Sequence, residues 1–353
     1  MKTPTPNAGG QDASWRVLLH ASAARGQDLP GITAQEAEAV NAVARRFPMR
    51  INAYFLSLLS PEKKALWRQA VPSAEELSDA EASEDPLCEQ SQSPVPGIVH
   101  RYPDRVVFLA ETRCAIHCRH CMRKRNHGRG PAPGAAMRQQ ALDYIARTPA
   151  IREVVVSGGD PLLLEDDVLF DLMDRIFSLP HVRVARIHTR VPGVLPQRIS
   201  PGLARGLARL GPVFINIQFN HPDELTPPAA QACAMLADAG IPLGSQTVLL
   251  RGVNDDPQVL ADLFYGLLSL RVKPYYLHQV DKTRGTGHFF VPLQTAMRIL
   301  ESLRGSISGM AVPHFMVDLP GGGGKVPCLP QYFLRAPGGA WLARNYKGKI
   351  FPC

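Results

Sequence analysis

Three cysteines close together are the residues of this chain best suited to chemistry. Cys114, Cys118 and Cys121 form a Cys-x3-Cys-x2-Cys pattern directly after a predicted strand. Thiolates are soft ligands that suit iron–sulfur clusters or zinc. A zinc site would recruit His117 or His120 as its fourth ligand, but such sites usually join two separated Cys pairs. The pattern therefore favours a four-iron cluster, in which three thiolates leave one iron open to a chelating ligand.

A lysine after a run of glycines is the second distinctive feature. Lys325 ends the segment Asp318-Leu-Pro-Gly-Gly-Gly-Gly-Lys325. A Walker-type phosphate loop needs Gly-x4-Gly-Lys-Ser/Thr, and Leu319 and Val326 break that pattern. The strand-like residues 311–319 before the glycines favour a held loop over a flexible linker. A lysine in a tight, partly dry site can lose its proton and form a Schiff base, most often with pyridoxal phosphate (PLP).

Two shorter motifs could hold further ligands. Arg101 and Arg105 precede the first predicted strand, and guanidinium forks match the geometry of a phosphate, although such a pair is often solvated surface charge. Ser157-Gly158-Gly159-Asp160 ends the second predicted strand, where glycines let the backbone approach a ligand closely. Alone, the same four residues are also typical of a turn.

The elements that must position these residues alternate between strand and helix. Short apolar runs occur at 106–110, 153–159, 182–188, 213–219, 243–250 and 273–280, and helical patterns lie between them. Continuous apolar strands are typical of a parallel sheet buried on both faces. This α/β pattern predicts either a doubly wound sheet or a partial barrel.

The region before this alternation looks helical. Helical spacing follows Thr33, whose hydroxyl is suited to capping the helix, and a second helical stretch covers 52–70. An acidic, Pro- and Ser-rich connector (73–97) then leads to the first predicted strand.

Composition excludes several classes of protein. The 353 residues are 45% hydrophobic, with 39 Lys and Arg against 31 Asp and Glu, a net charge of +8. No run approaches the roughly 18 apolar residues of a membrane span, and no secretory signal precedes the seven cysteines, which predicts a cytoplasmic protein with reduced thiols. The basic cluster at 119–129 lacks aromatic residues, so it suits small anions better than nucleic acid. A zinc-containing nucleic-acid-binding protein stays the alternative of a different class.

The cysteine motif resembles that of radical S-adenosylmethionine (SAM) enzymes, and most of the chain resembles the lysine 2,3-aminomutase family. The resemblance runs from about residue 40 to residue 350. It is carried by DPLCE (85–89), SPVPGIVHRYPDRV (93–106), CRHCMRKR (118–125), SGGDPLL (157–163), VLPQRIS (194–200), FNHPDE (219–224), LADAGIPLGSQTVLLRGVND (236–255), RVKPYY (271–276) and PGGGGKVP (320–327).

The resemblance implies an α/β fold, a partial (β/α)6 TIM-like radical SAM barrel. It implies a helical N-terminal region at 1–98, the barrel at 99–305, and a C-terminal segment at 306–353 that carries the PLP lysine.

The family's functional residues transfer by position. The resemblance makes Cys114, Cys118 and Cys121 the ligands of a [4Fe-4S] cluster, and Ser157, Gly158, Gly159, Asp160 and Gln246 the contacts of SAM. It makes Lys325 the PLP anchor, and Arg101 and Arg105 the contacts of the PLP phosphate. Arg123 would pair with the substrate carboxylate, and Asp281 and Asp318 with the ε-ammonium of L-lysine.

The carboxylate pair favours a cationic substrate, because an acidic side chain would be repelled. The implied reaction begins when the substrate amine displaces Lys325 from PLP. An adenosyl radical then removes hydrogen from the β-carbon, and the nitrogen migrates to give β-lysine. Alternatives are a β-lysine-forming enzyme that serves elongation factor P, which YLHQVDKTRGTGHF (276–289) resembles, and a 2,3-aminomutase for another cationic amino acid.

The chain departs from the family in its cysteines. Asp256 lies where a partner Cys for an intersubunit zinc is expected, and the tail carries only Cys353. We expect a homo-oligomer without interface zinc. Its implied partner is a low-potential electron donor such as flavodoxin or ferredoxin, and no nucleic-acid or membrane partner is expected.

Overall fold

The computed structural model describes residues 9–128 and 133–353, so the expectations for residues 1–8 and for Arg129 of the basic cluster lie outside the described residues. The helices are α1 (Gly9–His20), α2 (Ala34–Ala44), α3 (Ala53–Leu58), α4 (Lys64–Ala70), α5 (Ala135–Ala146), α6 (Asp166–Phe177), α7 (Val191–Val194), α8 (Pro201–Leu210), α9 (Pro227–Asp238), α10 (Pro257–Ser269) and α11 (Leu293–Leu303). The strands are β1 (Ile98–Tyr102), β2 (Arg105–Glu111), β3 (Glu153–Gly158), β4 (Val184–Thr189), β5 (Val213–Ile217), β6 (Leu243–Leu249), β7 (Val272–Gln279), β8 (His314–Leu319), β9 (Gly324–Pro327), β10 (Phe333–Arg335), β11 (Trp341–Arg344) and β12 (Ile350–Pro352).

A nine-stranded sheet forms the centre of the molecule. Strands β1 to β9 lie in sequence order, and β2 to β8 pair in parallel. The antiparallel strands β1 and β9 form its two edges. A doubly wound sheet would reverse its strand order at a switch point, so the sequential order excludes that alternative and confirms the predicted barrel.

The sheet curves until its edges approach each other. The Tyr102 hydroxyl on β1 accepts a hydrogen bond of 2.7 Å from the backbone N–H of Lys325 on β9. One side chain therefore joins the first and last strands of the sheet, and the barrel is nearly closed.

Apolar burial explains why these strands and helices form. The run Val154–Val156 on β3 is buried, as expected for a strand covered on both faces. Helix α6 buries Leu169, Leu172, Met173 and Ile176, a helical spacing that turns one face toward the sheet. None of the helices in the described ranges is both long and apolar enough to cross a membrane.

The N-terminal region packs into the same core as the barrel. Thr33 caps α2 as predicted, since its hydroxyl accepts from the N–H of Glu36. The single helical stretch predicted for 52–70 is wrong in one respect. It divides into α3 and α4, because Leu59 is extended and Pro61 cannot donate the N–H that a continuous helix needs.

Two features were absent from the sequence expectations. Strand β1 forms a hairpin with β2 across Pro103-Asp104, where only the second strand was predicted. The C-terminal residues fold into a separate antiparallel sheet of β10, β11 and β12.

Candidate active site

One cavity of about 460 Å³ lies at the C-terminal ends of the parallel strands. It is there that barrel proteins of this architecture place their ligands. All the site residues predicted from the sequence line it: Arg101, Arg105, Cys114, Cys118, Cys121, Arg123, Ser157, Gly158, Gly159, Asp160, Gln246, Asp281, Asp318 and Lys325. The fold thus brings together residues that lie far apart in the sequence.

The three cysteines lie on the loop that follows β2. Backbone bonds hold this loop to the N-terminal region, from His117 N–H to Arg50 O (2.8 Å) and from Arg119 N–H to Gln69 O (2.9 Å). Burial and the neighbouring thiols raise the pKa of Cys114 well above its usual value, and burial raises that of Cys121 to about 11. A strongly positive centre is therefore needed to hold these groups as thiolates, which is what a metal cluster supplies.

His117 and His120 of this loop each contact another group through one ring nitrogen. His117 Nδ1 lies 3.0 Å from the carbonyl of Pro48, and His120 Nε2 lies 3.0 Å from the Gln218 amide. In residues 9–128 and 133–353, no three His, Cys, Asp or Glu side chains surround a single metal position. A cubane cluster offers a separate iron to each thiolate, so its ligands need not converge on one point. The donor set fits a cluster better than a zinc ion.

The glycines at the end of β3 let two backbone segments approach each other closely. A Cβ at Gly158 would lie 2.2 Å from the carbonyl of Glu111, and one at Gly159 would lie 2.3 Å from that of Arg113. These contacts show the glycines allowing close approach of the cysteine loop itself. Backbone bonds from Gly159 to Glu111 (2.6 Å) and from Asp160 to Arg113 (2.8 Å) fix that approach.

Asp160 is buried and already hydrogen-bonded. Its carboxylate accepts from the Thr189 hydroxyl at 2.7 and 2.9 Å, and from the backbone N–H groups of Leu162 and Arg190. Burial raises the pKa of Asp160 to about 6 in spite of these bonds. The residue joins the ends of β3 and β4. Its predicted contact with SAM stays a prediction, as does that of Gln246, which is half-buried on β6.

Lys325 is held by a tight hairpin between β8 and β9. Gly321, Gly322 and Gly324 have φ values of +65°, +82° and +87°, which side chains rarely adopt. Asp318 and Lys325 are paired across this hairpin, and the lysine Nζ donates to Asp318 Oδ2 at 2.5 Å. The glycines therefore build the turn that places an amine beside a carboxylate.

Asp318 and Asp281 differ sharply in their electrostatics. Burial alone would raise the pKa of Asp318, but the bonds from His278 and Lys325 outweigh it and lower that pKa to about 2. Arg101 Nη1 lies 3.7 Å from the other oxygen of Asp318. Burial, followed by repulsion from Asp318, raises the pKa of Asp281 to about 7. A new cation in the cavity would therefore stabilise the ionised form of Asp281 more than that of Asp318.

The predicted arginines already have protein partners. Arg101 donates to Gln92 Oε1 (2.7 Å) and to the carbonyl of Leu87 (3.0 Å). The Arg105 guanidinium lies 3.9 Å from the ring centre of Tyr102. Arg123 forms a two-pronged ion pair with Glu89 at 2.9 and 2.6 Å, so an incoming carboxylate would have to share or displace Glu89.

A buried ion network holds the cysteine loop to the connector. Arg119 and Lys124 both contact Glu76 Oε2 at 2.6 Å, and all three side chains are fully buried. Removing one partner of such a network leaves an uncompensated buried charge.

Sequence reasoning missed several residues of the cavity. Glu89, Arg190 and His278 line it, and none was assigned a role. Arg190 and His278 could have been found by inspecting every polar residue near the C-terminal end of a predicted strand. Glu89 lies in the irregular connector, where no periodicity marks it.

Two family models match the chain. One, described as Radical SAM superfamily, matches residues 112–264, and one, described as Lysine-2,3-aminomutase, matches residues 300–352. Similar curated proteins include the L-lysine 2,3-aminomutase of Clostridium subterminale, 45% identical over 90% of this chain and 78% of that protein. The L-lysine 2,3-aminomutase of Fusobacterium nucleatum is 44% identical over 90% of this chain and 76% of that protein.

Two more distant similarities were found. The Glutamate 2,3-aminomutase of Clostridioides difficile is 40% identical over 90% of this chain and 76% of that protein. A solved radical SAM methyltransferase from Sphaerobacter thermophilus has a TM-score of 0.47 and 18% identity, over 62% of this chain and 68% of that one.

Proposed function

The chain belongs to the L-lysine 2,3-aminomutase family of radical SAM enzymes, and we propose how residues of its cavity carry out the conversion of L-lysine to β-lysine. It is an isomerase that moves the α-amino group of L-lysine to C3, giving β-lysine. The observation that carries the proposal is that the thiols of Cys114, Cys118 and Cys121 and the amine of Lys325 open into the same cavity.

Membership of the radical SAM superfamily implies a [4Fe-4S] cluster and SAM. We infer that Cys114, Cys118 and Cys121 hold the cluster, and that Gln246 and the Ser157–Asp160 turn contact SAM. We propose PLP as the third cofactor, with Lys325 as its anchor and Arg101 and Arg105 near its phosphate. When bound, the cluster and SAM supply a hydrogen-abstracting radical, and PLP supplies the electrophile on which the amino group is carried.

The protein's own residues bind and orient the substrate. Lys325 must leave Asp318 to engage the cofactor, and its departure frees a carboxylate for the substrate's ε-ammonium. Asp281 supplies a second carboxylate at the same end of the site, and Arg123 a cation for the substrate carboxylate. These charge-assisted bonds would fix the substrate within the cavity, beside the groups that react with it.

The two carboxylates are the reason to place L-lysine ahead of glutamate. A glutamate side chain would bring a third negative charge beside Asp281 and Asp318, whereas an ammonium satisfies both. The runner-up is a β-lysine-forming enzyme for elongation factor P, which shares the reaction. We also propose a cytoplasmic homo-oligomer, reduced by a flavodoxin- or ferredoxin-like donor, with regions bounded at 1–98, 99–305 and 306–353.

An anaerobic turnover assay tests the function. The protein, reconstituted with iron and sulfide and reduced, is given PLP, SAM and one of L-lysine, L-ornithine, L-arginine or L-glutamate. We expect β-lysine from L-lysine only, and only with SAM present. Its chirality distinguishes the free-lysine enzyme from the elongation-factor type.

The negative results of this assay are equally specific. SAM cleavage without β-lysine would overturn the choice of substrate while keeping the radical chemistry. No product from protein that holds a full cluster and PLP would contradict the aminomutase assignment.

Replacing one carboxylate tests the substrate contact. We expect Asp318→Asn to raise the KM for L-lysine by about 10- to 100-fold, because a hydrogen bond to a charged group contributes about 1.5–3 kcal/mol. Steady-state kinetics measure this, with the surface variant Asp238→Asn as the control, since Asp238 only pairs with Arg271 at the surface. An unchanged KM in Asp318→Asn would contradict the ε-ammonium role.

The Asp318→Asn variant is also expected to change the pH dependence of the KM for L-lysine. In the wild type the KM is expected to rise as the pH falls below about 7, because protonation of Asp281 removes a charge that binds the ammonium. Repulsion from Asp318 contributes to that raised pKa. Asp318→Asn should therefore move the midpoint of the profile to lower pH.

A further inference from the structure

Arg190 has a contact that the proposed reaction does not use. It follows β4 directly, is buried, and lines the cavity. Its Nη1 lies 2.9 Å from the Sγ of Cys118, within hydrogen-bonding distance of a predicted cluster ligand. Among the described residues, Arg190 is the side chain that donates a hydrogen bond to one of the three motif cysteines.

Two further hydrogen bonds, both donated by Nη2, fix the position of this guanidinium. Arg190 Nη2 donates to Glu224 Oε2 at 2.8 Å and to Gln69 Oε1 at 3.0 Å, and both of these partners are fully buried. Glu224 also accepts from the N–H groups of Asn220 and His221, which fix its own carboxylate. An arginine constrained by two buried acceptors presents its remaining edge to Cys118 without a further loss of side-chain entropy.

Gln69 extends this support into the N-terminal region. It lies on α4, its backbone carbonyl accepts from Arg119 of the cysteine loop, and its side chain contacts both Arg190 and Glu224. The same residue therefore positions the loop that carries the thiols and the cation that contacts one of them.

We propose that Arg190 sets the reduction potential of the cluster through its hydrogen bond to the Cys118 sulfur, an inference that rests on the proposed function. A cluster with three thiolate ligands becomes more negative when it takes one electron from a low-potential donor. A fixed guanidinium beside one ligand stabilises the more negative state, because hydrogen bonds to the sulfurs and nearby charge both tune such potentials. Arg190 is in this sense a positioning residue that makes reduction easier.

Potentiometric titration of the reconstituted holoenzyme, followed by electron paramagnetic resonance, tests the inference. We expect Arg190→Gln to keep its iron but to shift the midpoint to more negative potential. At a fixed potential the ratio of reduced to oxidised cluster should fall about tenfold, equivalent to about 59 mV for a one-electron couple. Arg190→Lys keeps a cation beside Glu224 but lacks the planar fork, so a smaller shift in the same direction is expected.

Arg186→Gln is the matched control. Arg186 also lines the cavity but pairs with Glu153 and has no recorded bond to a cysteine. Its loss removes the same charge from the same cavity without removing a hydrogen bond to a cysteine, so we expect less than about a twofold change in the ratio of reduced to oxidised cluster. A shift as large as that of Arg190→Gln would overturn the role of the hydrogen bond.

The remaining outcomes separate the inference from the function. A wild-type midpoint in iron-loaded Arg190→Gln would overturn the inference alone. If Arg190→Gln cannot hold iron, an unchanged midpoint in Arg190→Lys overturns it instead. A wild-type protein that assembles no iron–sulfur cluster would overturn the proposed function itself.

Discussion

Cys118→Ala is expected to lower β-lysine formation at least about 1000-fold and to remove most of the bound iron. The thiol is one of three on a single loop, and the described residues around it supply no substitute. His117 Nδ1 and His120 Nε2 already contact other groups, and an imidazole is a less soft ligand than the thiolate that suits an iron–sulfur cluster. Iron analysis, the visible spectrum of the reconstituted protein and turnover are the measurements.

A loss of activity through unfolding would give a different pattern. Replacing the CH2SH side chain of Cys118 by the CH3 of alanine removes only the sulfur atom, so the thermal midpoint is expected to change by only a few degrees. Cys353→Ser is the control, because Cys353 is an exposed thiol outside the cavity and should keep full iron and turnover. Full iron and turnover in Cys118→Ala would refute the assignment of the cluster ligands.

The order of the elements was predictable because burial leaves a strong local pattern. Strands β2 to β7 are short apolar runs separated by amphipathic helices, and the structure has each of them. The hairpin of β1 and β2 was missed because its turn, Pro103-Asp104, follows a strand of mixed polarity. Strands β10 to β12 are short and largely exposed, so the sequence has no long apolar run that predicts them.

The cavity was predictable where a motif is contiguous in sequence. Cys114, Cys118, Cys121 and Lys325 belong to compact motifs, and the structure brings them to one cavity. Partners from distant segments were not predictable, because their role depends on contacts that only the fold creates. The pairing of Glu89 with Arg123 is of this kind.

Gly158 and Gly159 have a role in the fold that their motif alone did not reveal. The sequence suggested that Gly158 and Gly159 admit a ligand, which stays a prediction, and the structure adds that their missing side chains make room for the backbone of Glu111 to Arg113. The ligand-binding loop and the turn beside it are thus assembled as one unit. A glycine motif alone cannot tell these cases apart, since both require the same absence of Cβ.

In the proposed reaction, Asp318 links the resting lysine to the substrate. Arg101, His278 and Lys325 contact it, and the hydrogen bonds from His278 and Lys325 with the charge of Lys325 lower its pKa to about 2, so it is ionised at neutral pH. When Lys325 leaves to bind a cofactor, a buried carboxylate loses its nearest partner. In the proposed reaction the arrival of a substrate ammonium restores that compensation, so anchoring of the cofactor and selection of a cationic substrate would depend on the same oxygen atoms.

Lys325→Ala is expected to abolish covalent retention of PLP and to lower turnover at least about 100-fold, while the iron content stays unchanged. The amine is the group that would bond to the PLP aldehyde, and the hairpin of β8 and β9 holds it at the cavity. Borohydride reduction followed by peptide mass spectrometry should find PLP on the wild-type peptide that contains residue 325. The variant peptide should carry none.

Lys325→Arg separates covalent chemistry from charge. An arginine keeps a cation beside Asp318, whose side chain is only 4% exposed, but it cannot form the covalent bond to PLP. If the amine acts covalently, Lys325→Arg should lose PLP as completely as Lys325→Ala does. Lys325→Arg should also be at least as stable to unfolding as Lys325→Ala, because Asp318 keeps a partner. PLP recovered on another lysine, such as Lys282 outside the cavity, would mean that Lys325 serves only to neutralise Asp318. Equal loss of PLP in both variants, with iron retained, would leave the covalent role as the one consistent with the geometry of the hairpin.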